Sequence, residues 1–273
     1  VHIGKTRSMT APLSPEDVRA LKSLIGWWEQ SGVEALPPLP APRAAASSSI
    51  APPPAASEAR ATGAQARQAG FGAAPTQDGR ALAQAAQSVD ELKQALNAFD
   101  GCPLKATATQ LVFARGNPQG DVMVVGEAPG RDEDREGVPF VGPAGHLLDK
   151  MLSAIGLDDT RALITNVVYW RPPGNRKPTD AEIEACRPFA ERHIELVKPK
   201  ALVFAGGIAA QSLLRSKDGI MTLRGRWHDY TLSDGTVIAA LPMYHPAFLL
   251  RRPQEKAKSW QDLLSLKAKL ASL

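Results

Sequence analysis

Cysteine is scarce in this sequence: 273 residues contain two, Cys102 and Cys186. So few thiols exclude a disulfide framework and suit a reducing, cytoplasmic setting. Long apolar runs are also missing. Nothing approaches the roughly 20 consecutive residues of a membrane span, and the N-terminus carries no apolar core of a secretion signal. No membrane association is therefore expected. Charge of one sign hardly dominates, at a formal net +4. That balance is compatible with a polyanionic partner without demanding one. What remains, 44% hydrophobic and 22% charged residues, is the composition of an ordinary globular protein.

Large apolar side chains are nearly absent between Pro37 and Gly79, where Leu39, Ile50 and Phe71 stand almost alone among Ala, Pro, Ser, Gly and Gln. Such a stretch cannot bury enough surface to offset its ordering entropy, and it reads as a flexible linker over residues 36–87. Ahead of it, Ser14-Pro15-Glu16-Asp17 has the signature of a helix start. Val18, Leu21, Leu24, Ile25 and Trp28 then share one face, so residues 9–35 are expected to form an amphipathic helix. It would either dock on the folded part or recruit a partner protein. Val1–Ser8 reads as an appended remnant ahead of a natural start at Met9. After the linker, Ser88-Val89-Asp90-Glu91 has capping-box spacing and opens a folded domain over residues 88–273.

Within that domain short apolar runs at Val122–Val125, Leu163–Val168, Leu202–Ala205 and Val237–Leu241 alternate with helical patterns. The patterns cover Ala144–Ile155, Asp180–Val197, Ile208–Leu214 and Gln261–Leu270. Apolar strands separated by helices imply an α/β fold: a three-layer α/β/α sandwich around a central, mainly parallel four-stranded sheet. Ligands in such folds bind beyond the C-terminal ends of the strands, which directs attention to the segments after Val125, Val168, Gly206 and Met243.

Those segments hold residues that packing alone does not require. After the first strand comes Gly126-Glu127-Ala128-Pro129-Gly130, then Asp132-Glu133-Asp134 and Pro139-Phe140-Val141-Gly142. The glycines and proline make a tight turn whose N–H groups can approach a ligand, although many strand-to-helix loops look alike. No Gly-Lys-Ser/Thr follows, so this is not a P-loop. The second strand ends at Thr165-Asn166-Val167-Val168. An asparagine there is commonly a cap, but its amide also suits the edge of a base. The stiff basic loop Arg171-Pro172-Pro173-Gly174-Asn175-Arg176-Lys177-Pro178 reads as a solvated turn or as a phosphate-facing rim. Finally, Tyr244-His245-Pro246-Ala247-Phe248-Leu249-Leu250-Arg251-Arg252 places an apolar triplet between a histidine and two arginines. Apolar wedges with basic flanks pry bases out of a duplex.

Taken in order, Gly-Glu-Ala-Pro-Gly, Pro-Phe-Val-Gly, Thr-Asn-Val-Val, Arg-Pro-Pro-Gly-Asn-Arg-Lys-Pro and His-Pro-Ala-Phe-Leu-Leu-Arg resemble the family 4 uracil-DNA glycosylases, from Phe99 to the C-terminus. The resemblance implies a monofunctional hydrolase of base-excision repair, acting as a monomer on uracil-containing DNA and found on the bacterial nucleoid. Phe140 would stack on the flipped uracil and Asn166 would read its edge. His245 would donate to O2 of the leaving base, and Glu127 would direct water and favour positive charge on the sugar. Gly126, Ala128 and Gly130 would line the base pocket. Arg171, Arg176, Lys177, Arg224 and Arg251 would meet phosphates, with Phe248, Leu249 and Leu250 as the wedge. The amphipathic helix at residues 9–35 lies outside the resemblance; it would dock on the folded domain or recruit a repair protein across the linker. The same fold tuned to another deaminated base, and a non-catalytic module that binds DNA or abasic sites, remain alternatives.

Two departures stand out. In family 1 enzymes an aspartate and a tyrosine occupy the turn where Ala128 and Gly130 stand, so water direction falls to Glu127 and exclusion of thymine to Glu133 or Asp134. The family 4 resemblance also implies four cysteines around an iron–sulfur cluster. Their positions here read Phe99, Cys102, Trp170 and Cys186. A cluster normally needs four thiolates, so no metal and no cofactor is expected, with Trp170 filling the vacated space.

Overall fold

Strand residues that are apolar at every position must be covered on both faces, and they are. The computed structural model describes residues 78–273. The expected N-terminal helix and most of the linker lie outside the described residues. Among these, a single sheet of six strands runs in the order β1-β3-β2-β4-β6-β5. Its centre is parallel and fully buried: β2 (Val122–Gly126), β3 (Ala162–Asn166) and β4 (Ala201–Ala205), with β6 (Val237–Met243) beside β4. Two short antiparallel strands, β1 (Ala114–Gly116) and β5 (His228–Thr231), close the edges. The four expected strands are the four parallel ones. The edge strands escape a reading by pattern because three or four half-exposed residues show no usable alternation.

Successive residues of each strand feed opposite layers. Met123, Val125, Leu202 and Phe204 face the layer of α1 (Gly79–Ala85), α2 (Val89–Ala98), α5 (Asp180–Val197) and α6 (Gly207–Leu214). Val122, Val124, Ile164 and Val203 face α4 (Pro143–Ser153), α8 (Pro246–Arg251) and α9 (Lys256–Ala271). Two shorter helices, α3 (Arg131–Glu136) and α7 (Ile220–Leu223), sit in loops at the sheet's C-terminal edge.

Local signals decide where helices begin. Ser88 Oγ accepts from the N–H of Glu91, as the capping spacing predicts, while the Glu91 carboxylate accepts from the N–H of Gln87. Thr179 and Glu182 form a reciprocal capping box on α5. One boundary needs correction: the linker does not extend to residue 87. Asp78 caps α1, Ala83 is buried, and Arg192 on α5 donates twice to the carbonyl of Ala86. A seven-residue helix with small apolar residues leaves too faint a pattern to separate from the Ala-rich stretch before it.

The α5 layer contains one titratable group that its surroundings keep neutral. His193 is fully buried, its ring stacks on Phe113 at 4.7 Å and 10°, and neither ring nitrogen has a partner. Burial lowers its pKa from 6.5 to about 4. The unfolded chain therefore binds a proton that the folded chain refuses. This contribution to stability is complete above the unfolded pKa and is lost as pH falls towards the folded one. Between about pH 7 and pH 5 the loss should be about 2 kcal/mol. Urea midpoints should fall more steeply with acid for the native chain than for His193→Leu, whatever the variant's starting stability. Parallel slopes would mean that His193 is protonated in the fold.

Candidate active site

The parallel sheet brings the ends of β2, β3 and β6 together, and a cavity of about 490 Å³ opens there. It is lined by Glu127, Ala128, Pro129 and Gly130 after β2, by Asn166 at the end of β3, and by His245, Ala247, Phe248 and Arg251 after β6. Phe140 and Glu133 complete its inner wall. Pro172, Asn175, Arg176 and Lys177 form one side of its mouth. Three loops expected from the sequence to carry chemistry therefore meet in one place.

The inner wall depends on absent side chains. Gly126 pairs with Asn166 across the β2–β3 register. A Cβ at Gly126 would lie 2.4 Å from Asn166 Oδ1 and 2.6 Å from the Phe140 ring. Only glycine lets the amide and the ring approach this strand end together. Gly126 thus backs the cavity rather than lining it. The Phe140 backbone is held at φ +56°, a conformation that costs a non-glycine residue free energy. Its carbonyl lies where a Cβ on Gly145 would stand, 1.7 Å away. The Glu133 carboxylate accepts from the N–H groups of Gly130 at 3.0 Å, Val141 at 3.1 Å and Gly142 at 2.9 Å. That clamp ties the Gly126–Gly130 turn to the Phe140 loop and holds the strained residue. Neither function was foreseen, although a glycine two residues into α4 is a sign of close approach.

Polar groups in the cavity are poised rather than neutralised. Asn166 is buried, and its Oδ1 has no donor. An acceptor left so in a protein interior costs about 1–3 kcal/mol until a donor arrives. His245 caps α8: its Nδ1 accepts from the N–H of Ala247 at 3.1 Å. Burial, and secondarily Arg251, lower its pKa to about 4. The ring is therefore neutral at physiological pH. With Nδ1 an acceptor, its proton sits on Nε2, ready to donate. The ring also stacks on Phe140 at 5.5 Å and 26°. The Glu127 carboxyl is raised above its ordinary pKa by burial, an effect that Lys177 and Arg251 oppose.

The residues expected to face DNA divide. Lys177 and Arg251 stand exposed at the mouth. Arg176 also lines it, with its guanidinium fixed in two parallel bonds to Glu182 at 2.7 and 2.8 Å. Arg171 donates to Asn175 Oδ1 and lies outside the cavity. Arg224 is a correction: it is paired with Asp262 at 2.5 Å, donates to the carbonyl of Lys258 and stacks over Tyr244 at 5.0 Å. Those bonds turn it inward, away from a phosphate. The wedge is also narrower than expected. Leu249 is wholly buried in the core and Phe248 leans on Tyr244 at 4.9 Å, whereas Leu250 is 45% exposed. Once Pro246–Arg251 is helical, three consecutive residues cannot share one face. Asp134, buried and accepting from both the N–H and the hydroxyl of Thr109, braces a neighbouring loop outside the cavity. Phe99, Cys102, Trp170 and Cys186 are all buried in the extended hydrophobic core of the α1–α2–α5 layer.

The arrangement offers an aromatic platform, an amide, a neutral imidazole donor and a carboxylate around a slot suited to a planar heterocycle. Comparison with known proteins identifies the family. The model of the uracil DNA glycosylase superfamily matches residues 113–264. The chain is 39% identical over 180 residues to the type-4 uracil-DNA glycosylase of Archaeoglobus fulgidus, covering 64% of this chain and 90% of that one. It is 40% identical over 151 residues to that of Thermotoga maritima, covering 55% and 77%. It is 36% identical over 179 residues to that of Pyrobaculum aerophilum, covering 64% and 91%. With its strands, its cavity and most of its folded length accounted for in this way, the chain belongs to the uracil DNA glycosylase superfamily.

Proposed function

We propose that this chain is a uracil-DNA glycosylase, which takes uracil out of the DNA stack and hydrolyses the bond between base and deoxyribose, leaving an abasic site. The observation that carries the reading is the pairing of a donorless buried Asn166 Oδ1 with a neutral His245 across a slot floored by Phe140. Uracil in that slot would give its N3–H to Asn166 Oδ1 and take a bond from the amide nitrogen at O4. Cytosine, with a bare N3, would leave the oxygen unsatisfied. His245 Nε2 would donate to O2, where negative charge gathers as the base departs. Glu127 would hold the attacking water and favour positive charge on the sugar.

The mouth fits a strand of DNA. Lys177 and Arg251 would bind flanking phosphates, with Arg176 and Arg171 in the loop that carries Lys177. Leu250 would enter the space vacated by the base. Of the two acids expected to fence off a thymine methyl group, Glu133 lines the cavity and Asp134 does not, which favours Glu133 in that role.

Incubation with a uracil-containing oligonucleotide, followed by alkali, should break the strand at the uracil. Glu127→Ala and His245→Ala should each slow this by about 100-fold or more while the protein stays folded. Native turnover by either variant would remove that residue from the mechanism. Because burial raises the Glu127 pKa, the acid limb of the single-turnover rate should lie above the ordinary carboxylate range, and Glu127→Gln should abolish it. An unchanged acid limb in that variant would assign it to another group.

The two leucines should separate cleanly. Leu250→Ala should reduce excision from duplex DNA and spare single strands, whereas Leu249→Ala should lower the melting temperature through a cavity in the core. Equal losses on both substrates for Leu250→Ala would reduce it to a packing residue.

A further inference from the structure

Phe99, Cys102, Trp170 and Cys186, buried in the same hydrophobic layer, belong to four parts of the chain. Phe99 ends α2, Cys102 opens the turn Pro103–Ala106, Trp170 directly precedes the basic loop, and Cys186 lies in the middle of α5. All four are at most 2% exposed. These are the positions where the family resemblance implies four cysteines around iron and sulfide. The donor set does not fit such a group. Two thiols remain, close enough to interact with each other. The other two positions supply a phenyl ring and an indole, which have no electron pair for iron. Among the described residues no group of three or more His, Cys, Asp or Glu side chains could hold a metal.

Around Phe99 the packing suits a ring and leaves no gap. Phe99 meets Phe189 at 5.0 Å and 49°. Two glycines yield to the Phe99 ring. A Cβ on Gly101 would come within 2.4 Å of it, and one on Gly79 within 3.1 Å of the ring and 3.3 Å of the Ala185 carbonyl. Gly79 opens α1, so the ring that fills a former ligand position also seats that helix. On the other side, Cys186 lies one turn beyond Glu182, whose carboxylate grips Arg176 of the basic loop.

We infer that this aromatic and thiol plug has replaced the iron–sulfur cluster as the brace of the Arg171–Pro178 loop, so that the chain folds and holds DNA without iron. Trp170 is then a positioning residue: it acts on DNA through the loop that it anchors, and that half of the inference rests on the DNA reading above. The half concerning iron does not.

The full chain, purified from iron-replete cells, should carry sub-stoichiometric iron and acid-labile sulfide and show no visible charge-transfer band. Stoichiometric iron with sulfide would overturn the inference whatever the protein does to uracil. Trp170→Ala should raise the KM for uracil-containing DNA about tenfold with kcat within about twofold, as loss of uniform binding requires. Trp170→Phe, which keeps a ring at this position, should restore most of the affinity. If Trp170→Ala does not fold, Trp170→Phe and the iron analysis still decide. An unchanged KM for a folded Trp170→Ala, or a kcat that falls as KM holds, would show that the plug does not position the loop.

Discussion

The Phe140 ring and the Asn166 amide share the space in front of Gly126, and most of the site follows from that crowding. Parallel pairing of β2 with β3 sets the glycine beside the asparagine. The ring can reach them only if residue 140 takes a left-handed backbone and residue 145 lacks a side chain. Such a conformation costs on the order of 1–3 kcal/mol. Three N–H bonds to one carboxylate, Glu133, offset it and bind the two loops into one body. The ring then supports His245, whose own position is fixed by its cap on α8. A planar slot is thus built before any ligand enters, which is the form of preorganisation that catalysis by charge stabilisation needs.

Electrostatics completes what packing begins. Burial holds His245 neutral and raises the Glu127 carboxyl, so the depth of the cavity resists charge, while the rim is cationic. A DNA strand drawn to Lys177 and Arg251 would carry its sugar towards the Glu127 carboxyl inside. The clamp of Glu182 on Arg176 shows how the rim is kept in place: the residue that caps α5 also holds the loop before it. The helix cap and the brace of the loop therefore share one side chain on this edge, and Trp170 directly precedes that loop.

How much of this is legible in sequence depends on whether a residue acts through its own type or through its neighbours. The parallel strands are legible because burial on both faces forces unbroken apolar runs. Asp180–Val197 is legible to the residue because Thr179 and Glu182 announce its start. Glu127, Phe140, Asn166 and His245 are legible because each stands at a strand end or in a loop where packing does not call for it. Arg224 misleads: an arginine near a loop resembles a phosphate ligand until its buried partner Asp262, 38 residues away, is known. Leu249 misleads in the same way, since a short apolar triplet conceals which member the helix turns inward. Gly126 carries no visible signal of its task, and Gly145 only that of a glycine early in a helix, because what matters is the atom that is missing and the neighbour that would meet it.

The central claim is that the slot reads the N3–H edge of uracil through the Asn166 oxygen. Inhibition of the chain's uracil excision by free bases tests it without altering the protein. Uracil should compete with the DNA substrate, while 3-methyluracil, which has the same ring and the same carbonyls but no N3 proton, should not. If 3-methyluracil inhibits as well as uracil does, the donorless oxygen is not the recognition group and the account of the site is wrong.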